Sequence, residues 1–379
     1  MRAVAIIMKL LMITGSFPPM PCGVGDYSAK LAGALAARGD LSVIVLTDQR
    51  AALNTPPAGV TVLPCVKDWT WRGVAHLLRL VHEQNPDIVH IQYPTAGYGT
   101  AWGIQFVPFL LRIVGVRVVE TWHEPTRFRC LPNSLSGRQP IIVVEPDYVM
   151  RVRFYYRPLI TQRIRYIPLA PSIPSATISV AESSELRASY ASPDERILVY
   201  FGFAIPNKGI EQIFEVADLK RDIIILICSL DSDNAYHRKL LAYIASSSWS
   251  TRTVITGFLE PENVANLLRI ADAAVFPFVE GVGMRNTSVL AAKLQGTFTL
   301  TTALHRQGYD DGENVFYVLP GDCAAMRAAL NQYAGCRSTS SVDSVQSWIT
   351  IAMKHVAVYE ELKFNNFTCK DTSHVVDGG

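Results

Sequence analysis

The sequence has few charged residues and almost no excess of either sign. Asp, Glu, Lys and Arg make up 18% of the 379 residues, against roughly 25% in average globular proteins. The formal net charge is only +2. So small an excess argues against a nucleic-acid-binding surface spread over the chain, and no nucleic-acid partner is expected. Any basic surface must be local.

Paired cysteines and long apolar runs are also missing. The seven cysteines are scattered and contain no Cys-x-x-Cys pair, so neither a disulfide framework nor a zinc site is indicated and a reducing, cytoplasmic setting is expected. The longest apolar stretch, Trp102–Val119, is interrupted by Pro108 and Arg112, and a span needs about 20 residues. Met1–Met12 has no cleavage site. We expect no export signal and no transmembrane helix, so membrane contact would be peripheral, at the inner face.

Short runs rich in β-branched residues alternate with segments of helical period, which is typical of α/β folds with parallel sheets. The chain exceeds the roughly 250–300 residues at which single cores stop growing, so two domains are expected. The strands predicted in the first half are Leu10–Thr14, Ser42–Thr47, Val60–Pro64, Ile88–Gln92 and Arg117–Thr121. Those predicted in the second half are Ile197–Phe201, Ile223–Cys228, Thr253–Thr256, Ala274–Phe276, Phe298–Thr302 and Val315–Leu319.

Helical segments separate these strands. One is predicted from Asp26, as its capping residue, to Arg38, and another over Trp71–Gln84. Three prolines within Ile167–Pro174 oppose a helix and favour an extended linker. The predicted domains are an N-terminal Rossmann-like domain over 1–170, completed by a closing helix over 345–365, and a C-terminal Rossmann-like domain over 171–344, with a tail over 366–379.

The first glycine-rich segment, Gly15–Gly25, lies between a strand and a helix. Glycines let the backbone approach a ligand, and the positive end of the helix favours an anion, so the pattern predicts a phosphate site. An ordinary βα turn is the alternative. A nicotinamide-dinucleotide site is a second alternative, because Asp48 ends the next strand where a ribose-binding acid would stand. The ten residues between the strand and Gly25, and Ser28 at the third glycine position, argue against it.

Two more loops follow strands in the second half. Phe201–Gly209 carries Lys208, whose compact charge can hold diphosphate oxygens, although a solvated surface lysine is the alternative. Phe276–Ser288 leads into a helix predicted over Val289–Gln295, with Asn286 or Thr287 as its capping residue. Its glycines and the N–H groups at the helix start suit a second face of a phosphate. Glu280 can accept hydrogen bonds from sugar hydroxyls, with simple solvation as the alternative.

These segments occur in the order seen in family-4 glycosyltransferases, which the chain resembles over about residues 9–365. The motifs that carry the resemblance are Gly23-Val24-Gly25, His123-Glu124, Gly202…Lys208-Gly209, Thr256-Gly257-Phe258-Leu259, the Glu280 loop, and Asp311-Gly312-Glu313-Asn314 with Pro320-Gly321-Asp322. The resemblance implies the GT-B architecture, two Rossmann-like domains facing each other across a cleft. It also implies retaining transfer, without metal or other cofactor, from a nucleotide-diphosphate sugar to a glycan, lipid-linked or small-molecule acceptor, as in polysaccharide biosynthesis.

The resemblance also implies roles for individual residues. The catalytic residues would be His123, near the transferred sugar, with Lys208 and Glu280. The donor-binding residues would be Gly23, Val24, Gly25, Gly202, Phe203, Lys208, Gly257, Phe258, Glu280, Val282, Gly283, Met284, Arg285, Asn286, Thr287 and Ser288. The residues on the acceptor side would be Gln92, Tyr93 and Glu124. Lys208 and the backbone of Val282–Arg285 would neutralise the departing diphosphate.

Two positions depart from the family pattern. Ser288 stands where relatives carry a second glutamate that binds the ribose, and Phe203–Ile205 stands where they often carry an arginine. Arg285 is expected to supply the missing charge. The departures leave open a catalytically weakened paralogue that senses nucleotide sugars or serves a complex. A nucleotide-sugar epimerase is a third alternative. It is disfavoured because such enzymes usually carry several acidic and basic catalytic groups, which are not located in this sequence.

A basic cluster precedes the predicted linker. It consists of Arg151, Arg153, Arg157, Arg163 and Arg165, interleaved with Tyr155, Tyr156 and Tyr166. Such a cluster can meet an anionic lipid surface or a lipid-diphosphate acceptor. A solvated helix face is the alternative.

Overall fold

A computed structural model describes residues 8–52, 56–125, 131–134, 139–156, 164–283, 286–338 and 346–364. The chain divides into two units. Unit 1 runs up to Leu169 and resumes at Ser347, and unit 2 is Ala170–Gln346. Each contains one seven-stranded sheet with helices between the strands. Both units are therefore Rossmann-like α/β domains, as the strand and helix pattern predicts.

Unit 1 alternates strands and helices almost throughout. Its strands are β1 (Met8–Thr14), β2 (Leu41–Asp48), β3 (Val60–Val66), β4 (Ile88–Tyr93), β5 (Val118–Trp122), β6 (Ile141–Val143) and β7 (Ile164–Tyr166). Its first helices are α1 (Gly23–Ala36), α2 (Trp71–Gln84), α3 (Gly103–Ile113), α4 (Leu131–Ser134) and α5 (Pro146–Tyr156). All neighbouring strands are parallel, in the order β3-β2-β1-β4-β5-β6-β7. The carboxyl ends of these strands therefore meet at one edge.

The start of α1 differs from the prediction. The helix begins at Gly23, with Cys22 as its cap residue, and Asp26 lies within the first turn. The backbone N–H of Asp26 already donates to the carbonyl of Cys22, 3.0 Å away, which is a helical hydrogen bond. Asp26 is thus not the cap. The strands β6 and β7 were not predicted, because three residues are too few to show a periodicity.

Unit 2 repeats the design. Its strands are β8 (Arg196–Phe201), β9 (Asp222–Ile227), β10 (Thr253–Ile255), β11 (Ala273–Phe276), β12 (Thr299–Thr302), β13 (Gly308–Asp310) and β14 (Val315–Val318). Its helices are α6 (Val180–Ala188), α7 (Glu211–Val216), α8 (Ala235–Ser246), α9 (Pro261–Ile270), α10 (Thr287–Leu294) and α11 (Cys323–Tyr333). The order is β10-β9-β8-β11-β12-β14-β13, parallel except for β13, which pairs antiparallel with β14. The short β13 was not predicted.

The last helix, α12 (Trp348–Phe364), belongs to unit 1 although it follows unit 2 in sequence. It packs on α1, where the rings of Trp348 and Tyr27 lie 5.4 Å apart. Ion pairs from Glu361 to Arg165 and from Lys363 to Asp87 fix its far end. Among the helices of the described ranges, none combines the length and the hydropathy that crossing a membrane requires.

Candidate functional site

The carboxyl edge of unit 1 carries the first glycine-rich segment. It connects β1 to α1, so Gly23, Val24 and Gly25 form the first turn of the helix. A Cβ at Gly25 would lie 3.1 Å from the carbonyl of Ser16, so this glycine allows close packing of the turn on the loop. A Cβ at Gly23 would meet nothing within 4 Å. The helix start thus offers first-turn N–H groups, with open space beside Gly23.

His123 follows β5 at the same edge. Its backbone N–H donates to Tyr93, and its Nε2 lies 2.8 Å from Oε1 of Gln92. The ring meets that of Tyr27 edge-on, with centroids 4.7 Å apart. Burial, reinforced by the nearby His355, lowers the pKa of His123 to about 3. The imidazole is therefore neutral and held in one orientation near pH 7, and Tyr27 brings it close to the start of α1.

The three residues predicted on the acceptor side have different surroundings. Glu124 is exposed, whereas Gln92 and Tyr93 have exposed fractions of 0% and 1%. Gln92 meets His123 inside the core. The sequence analysis gave no role to His90, two residues before Gln92 in β4. It also gave none to Tyr359 and His355 of α12, which contact His90 and Tyr27. The available signal was a pair of polar side chains, His90 and Gln92, within a strand that is otherwise apolar or aromatic.

Asp48 serves the structure of unit 1. Its carboxylate accepts hydrogen bonds from the backbone and guanidinium of Arg50 and from the indole of Trp69. These bonds and the charge of Arg50 outweigh burial and lower the pKa of Asp48. With its oxygens engaged this way, Asp48 does not support the nicotinamide-dinucleotide alternative.

The carboxyl edge of unit 2 carries the lysine loop after β8. Gly202 has a φ of 147°, and Phe203 is half exposed. Two hydrogen bonds hold this loop in place. The hydroxyl of Tyr200, in β8, donates to the carbonyl of Phe203 at 2.8 Å. Nε2 of His237, on α8, lies 2.6 Å from the carbonyl of Ala204. The sequence analysis gave no role to Tyr200 or His237. The contact of His237 could not be foreseen, because only the tertiary fold brings α8 next to this loop.

The lysine loop and the Glu280 loop lie side by side. Nζ of Lys208 sits over the ring of Phe278, 4.5 Å from its centroid. The backbone N–H of Val279 donates to the carbonyl of Asn207 at 3.0 Å. Gly209 has a φ of 64°, and a Cβ there would overlap the carbonyl oxygen of Pro277. The backbone contact between the two loops therefore requires a glycine, and it accompanies the position of Lys208 over Phe278, two residues before the exposed Glu280.

The rest of the Glu280 loop runs into α10. Val282 donates its N–H to Thr302, and Gly283 donates to Oδ1 of Asn286 at 2.8 Å. The Asn286 side chain therefore stabilises the loop and makes no capping bond to the helix. Thr287 and Ser288 form the first turn of α10, which begins two residues before the predicted start. The predicted residues Met284 and Arg285 lie outside the described residues.

A further loop of the same edge follows β10. Gly257 has a φ of 72°, and the side chain of Phe258 is 81% exposed. Such an exposed aromatic ring offers a stacking surface for a base. Because β8, β10 and β11 are parallel members of one sheet, the Gly202, Gly257 and Glu280 loops share its carboxyl edge.

The Asp311–Asn314 motif serves the structure of unit 2. The Asn314 amide donates to the carbonyls of Gly296 and Cys336, and its φ is 53°. Glu313 pairs with Lys293 at 3.2 Å. Burial raises the pKa of Glu313, but Tyr317, Lys293 and Arg306 outweigh it and hold the pKa below its ordinary value.

The basic cluster is only partly visible. Arg165 binds Glu361 on α12, and the guanidinium of Arg151 lies 5.3 Å from the ring centroid of Tyr148. Arg153 is exposed. Arg157, Arg163 and the side chain of Tyr156 lie outside the described residues.

Known protein families account for both units. Residues 22–169 match the model of the glycosyl transferase 4-like domain, and residues 182–319 match that of glycosyl transferases group 1. A comparison with curated protein sequences finds no match.

Solved structures of similar fold cover nearly the whole chain. A sucrose-phosphate synthase from Thermosynechococcus elongatus superposes with a TM-score of 0.73 at 18% identity, covering 94% of this chain and 99% of that one. The catalytic domain of starch synthase IV from Arabidopsis thaliana, bound to ADP and acarbose, gives 0.66 at 14%, covering 94% and 99%. Anabaena Alr3699/HepE in complex with UDP and glucose gives 0.64 at 14%, covering 95% and 99%. With its two matched domains in order over more than half of its length, the chain belongs to the group 1 glycosyltransferases, enzymes that transfer sugars on the GT-B fold of two Rossmann-like domains.

Proposed function

We propose that this glycosyltransferase takes a sugar from a nucleotide-diphosphate donor and passes it, with retention, to a glycan, lipid-linked or small-molecule acceptor. Unit 2 binds the nucleotide diphosphate, and unit 1 contributes His123 at the sugar. Alr3699/HepE was solved with UDP and glucose, and the starch synthase with ADP. These ligands support a nucleotide-diphosphate donor for a chain of the same fold.

The observation that carries the proposal is the contact between the lysine loop and the Glu280 loop. It holds the loop of one cation, Lys208, against the loop of a carboxylate that is open to solvent, Glu280. The positive charge of Lys208 can stabilise a departing diphosphate. The carboxylate of Glu280 can accept hydrogen bonds from the hydroxyl groups of the donor sugar. Removal of a single preorganised donor to a leaving group costs about 10²–10³ in rate. Exposed Phe258 on the same edge offers a stacking surface for the base.

The experiment compares Glu280→Gln with Arg285→Ala after a panel of nucleotide sugars has identified the donor by thermal stabilisation. Glu280→Gln should weaken transfer strongly and leave affinity for the bare nucleotide diphosphate within a few fold. Arg285→Ala should do the opposite, because a charge-assisted contact to phosphate is worth about 1.5–3 kcal/mol, or roughly 10- to 150-fold in affinity. Calorimetry and sugar release measure the two effects separately.

The second candidate, a nucleotide-sugar sensor, is motivated by Ser288 and by the uncharged stretch Phe203–Ile205. A sensor would show both losses as changes in binding alone, and the wild-type protein would neither transfer nor hydrolyse the donor. If Arg285→Ala binds the diphosphate as tightly as wild type, Arg285 does not replace the missing arginine, and the sensor becomes the better reading.

A further inference from the structure

A polar cavity lies at the amino edge of the sheet of unit 2, where no motif of the sequence analysis falls. Its volume is about 600 Å³, which is within the roughly 300–1,000 Å³ typical of small-molecule sites. Three arginines line it, namely Arg187, Arg269 and Arg337. Asp272 is the single acidic residue among the described residues of its lining. The cavity is therefore rich in positive charge.

The path of the chain into three strands gives the cavity its position. Asp272 directly precedes β11, and Gly296 lies shortly before β12. Glu195, whose carbonyl accepts from Nη2 of Arg187 at 2.8 Å, directly precedes β8. These are amino ends of parallel strands, whereas the Lys208 and Glu280 loops follow the carboxyl ends. Strands of four to six residues at about 3.3 Å per residue separate the cavity from those loops by roughly 13–20 Å.

The three arginines reach the cavity from different segments. Arg187 belongs to α6, Arg269 to the last turn of α9, and Arg337 to the segment that follows α11. This last segment lies against Gly296, whose carbonyl accepts from the N–H of Ser338 at 3.1 Å. Gly296 has a φ of 66°, and a Cβ there would overlap the carbonyl oxygen of Ser338. A glycine at this position thus allows the approach that brings Arg337 to the cavity.

The positive charge of the cavity is only partly neutralised. Nη1 of Arg187 forms an ion pair with Oδ2 of Asp272 at 2.8 Å, and the same oxygen accepts from the backbone N–H of Ile197. Within the part of the chain that the structure describes, Arg269 and Arg337 have no carboxylate at ion-pair distance. The cavity therefore holds two positive charges in excess of its single carboxylate.

Arg269 and Arg337 keep N–H groups for a ligand. Arg337 donates from Nη1 to Oγ1 of Thr297 at 2.7 Å and from Nη2 to the carbonyl of Ala271 at 2.6 Å. Arg269 donates from Nη1 to the carbonyl of Gln295 at 3.2 Å. Because a guanidinium group has five N–H donors, most of those on Arg269 and more than half of those on Arg337 are left over. Bonds to chain carbonyls alone do not compensate the charges.

The like charges of the cavity act on one another. The guanidinium of Arg337 reaches the fully buried Thr297 and Ala271, although the residue as a whole is exposed. This burial and the charges of Arg269 and Arg187 lower the pKa of Arg337 to about 10, while Asp272 opposes the change. Arg337 stays charged near pH 7, and an anion between the arginines would relieve their repulsion.

We propose that this cavity is a second binding site of unit 2, which takes a small molecule carrying a phosphate group. The guanidinium groups of Arg269 and Arg337 hold the phosphate oxygens, because a planar fork of N–H donors matches their geometry. Val180, Ser183 and Ser184 stand on the face of α6 that carries Arg187 and form the wall beside the phosphate. Their hydroxyl groups suit a sugar, so a phosphorylated sugar fits the cavity, and free phosphate is the other source of the same chemistry.

Isothermal titration calorimetry on the full chain tests the site. The background is Lys208→Ala, so that the proposed donor site does not take up the probe. The probes are inorganic phosphate, glucose 6-phosphate and glucose at constant ionic strength. Both phosphate probes should bind saturably, with one molecule per chain, and glucose should not bind. If neither phosphate probe binds saturably, the proposal is wrong.

The two phosphate probes also identify the source of the phosphate group. Glucose 6-phosphate should bind at least about tenfold more tightly than inorganic phosphate if the sugar makes hydrogen bonds of its own. Equal affinities would instead identify free phosphate as the ligand. Either ratio supports the phosphate site, provided that the variants below change the affinity as expected.

Arg269→Gln is the main variant, because Arg269 is exposed and the change removes its charge at little risk to the fold. It should weaken phosphate binding about 10- to 150-fold, the range of a charge-assisted contact. The matched control is Arg327→Gln on α11. Arg327 is also exposed and donates to a carbonyl, that of Glu215, but it is not part of the cavity lining. The control should leave the affinity within about twofold.

Two results of this comparison would overturn the proposal. Unchanged affinity in Arg269→Gln would mean that phosphate binds elsewhere on the chain. An equal loss in Arg327→Gln would mean that phosphate responds to the overall charge of unit 2 and not to this cavity.

A second pair of variants adds a negative charge to α6. Ser183→Glu places a carboxylate at the cavity and should weaken phosphate binding at least about fivefold through repulsion. Ala181→Glu adds the same charge to an exposed residue of the same helix that is not part of the lining. Equal effects of the two variants would contradict the proposal. None of the arginine and α6 variants touches a residue assigned to the donor, so the result stands apart from the proposed function.

Discussion

The carboxyl edges of the two units differ in how deeply their candidate site residues are buried. In unit 1, His123 is buried and its ring is fixed by Gln92 and Tyr27. In unit 2, Glu280 and Phe258 are exposed on loops, and Nζ of Lys208 lies over the ring of Phe278. The first edge is organised before any ligand arrives. The second offers charge and stacking surface that a nucleotide can engage.

The difference matches the separate roles proposed for the two units, sugar contact in unit 1 and diphosphate binding in unit 2. If His123 lies at the transferred sugar, as proposed, its burial and its bond to Gln92 hold the ring in one orientation at the cost of desolvating polar groups. A group that holds a charged diphosphate needs solvent access and a fixed charge. The following predictions test this division.

Acid should weaken unit 1 before unit 2. Burial lowers the pKa of His123 to about 3 and that of His355 to about 4, and that of His90 also lies well below 6.5. In the unfolded chain each titrates near 6.5. Between these values the unfolded state binds more protons, so the stability they confer is complete above about pH 6.5 and is lost as the pH falls. Each can contribute up to about 1.4 kcal/mol per pH unit.

Hydrogen exchange at pH 7 and pH 5, corrected for intrinsic rates, measures this effect. Peptides from β4 and β5 should lose more protection than peptides from β8 and β9. Within its described residues, unit 2 has no matching set of buried histidines. Equal loss in both sheets would mean that the buried histidines do not limit the acid stability of unit 1.

Lys208→Ala should lower transfer at least about 100-fold while leaving the fold intact. The loss arises because no other described side chain of the lysine loop carries a positive charge for the leaving diphosphate. Steady-state kinetics measure it, and Lys220→Ala serves as control, since Lys220 is exposed between α7 and β9, at the opposite edge of the sheet. Unchanged turnover would remove Lys208 from the site.

His123→Ala should harm transfer much more than nucleotide binding, because the imidazole is assigned to the sugar and not to the base or the diphosphate. Calorimetry with the nucleotide diphosphate and a transfer assay on the same preparation give the two numbers. The retained nucleotide affinity also serves as the check that unit 2 is folded. An equal loss of affinity would contradict the assignment.

Chelation should have the smallest effect. Because the family resemblance implies transfer without a metal, EDTA is expected to leave the rate within about twofold, with Lys208 and backbone N–H groups carrying the leaving-group charge. A large loss that Mg²⁺ or Mn²⁺ restores would show that the loops of unit 2 need an ion to hold the diphosphate.

Much of the fold follows from local patterns. The helix Trp71–Gln84 has the predicted bounds, because Thr70 caps it and Asn85, in a left-handed conformation, ends it. The central strands lie where the apolar runs place them. The strands β6, β7 and β13 were missed, because a run of three residues shows too little periodicity to stand out from a loop; β10, equally short, was found.

In the candidate site, too, some features follow from local sequence and others depend on contacts between distant residues. The sequence by itself determined the loops after strands, because glycines at fixed offsets and a lysine before a helix are local features that a parallel sheet gathers at one edge. It could not reveal that His90 and Tyr359, 269 residues apart, share a hydrogen bond. Only the tertiary structure decided which buried polar groups meet, because a hydrogen bond between distant residues depends on packing geometry, which no local pattern encodes.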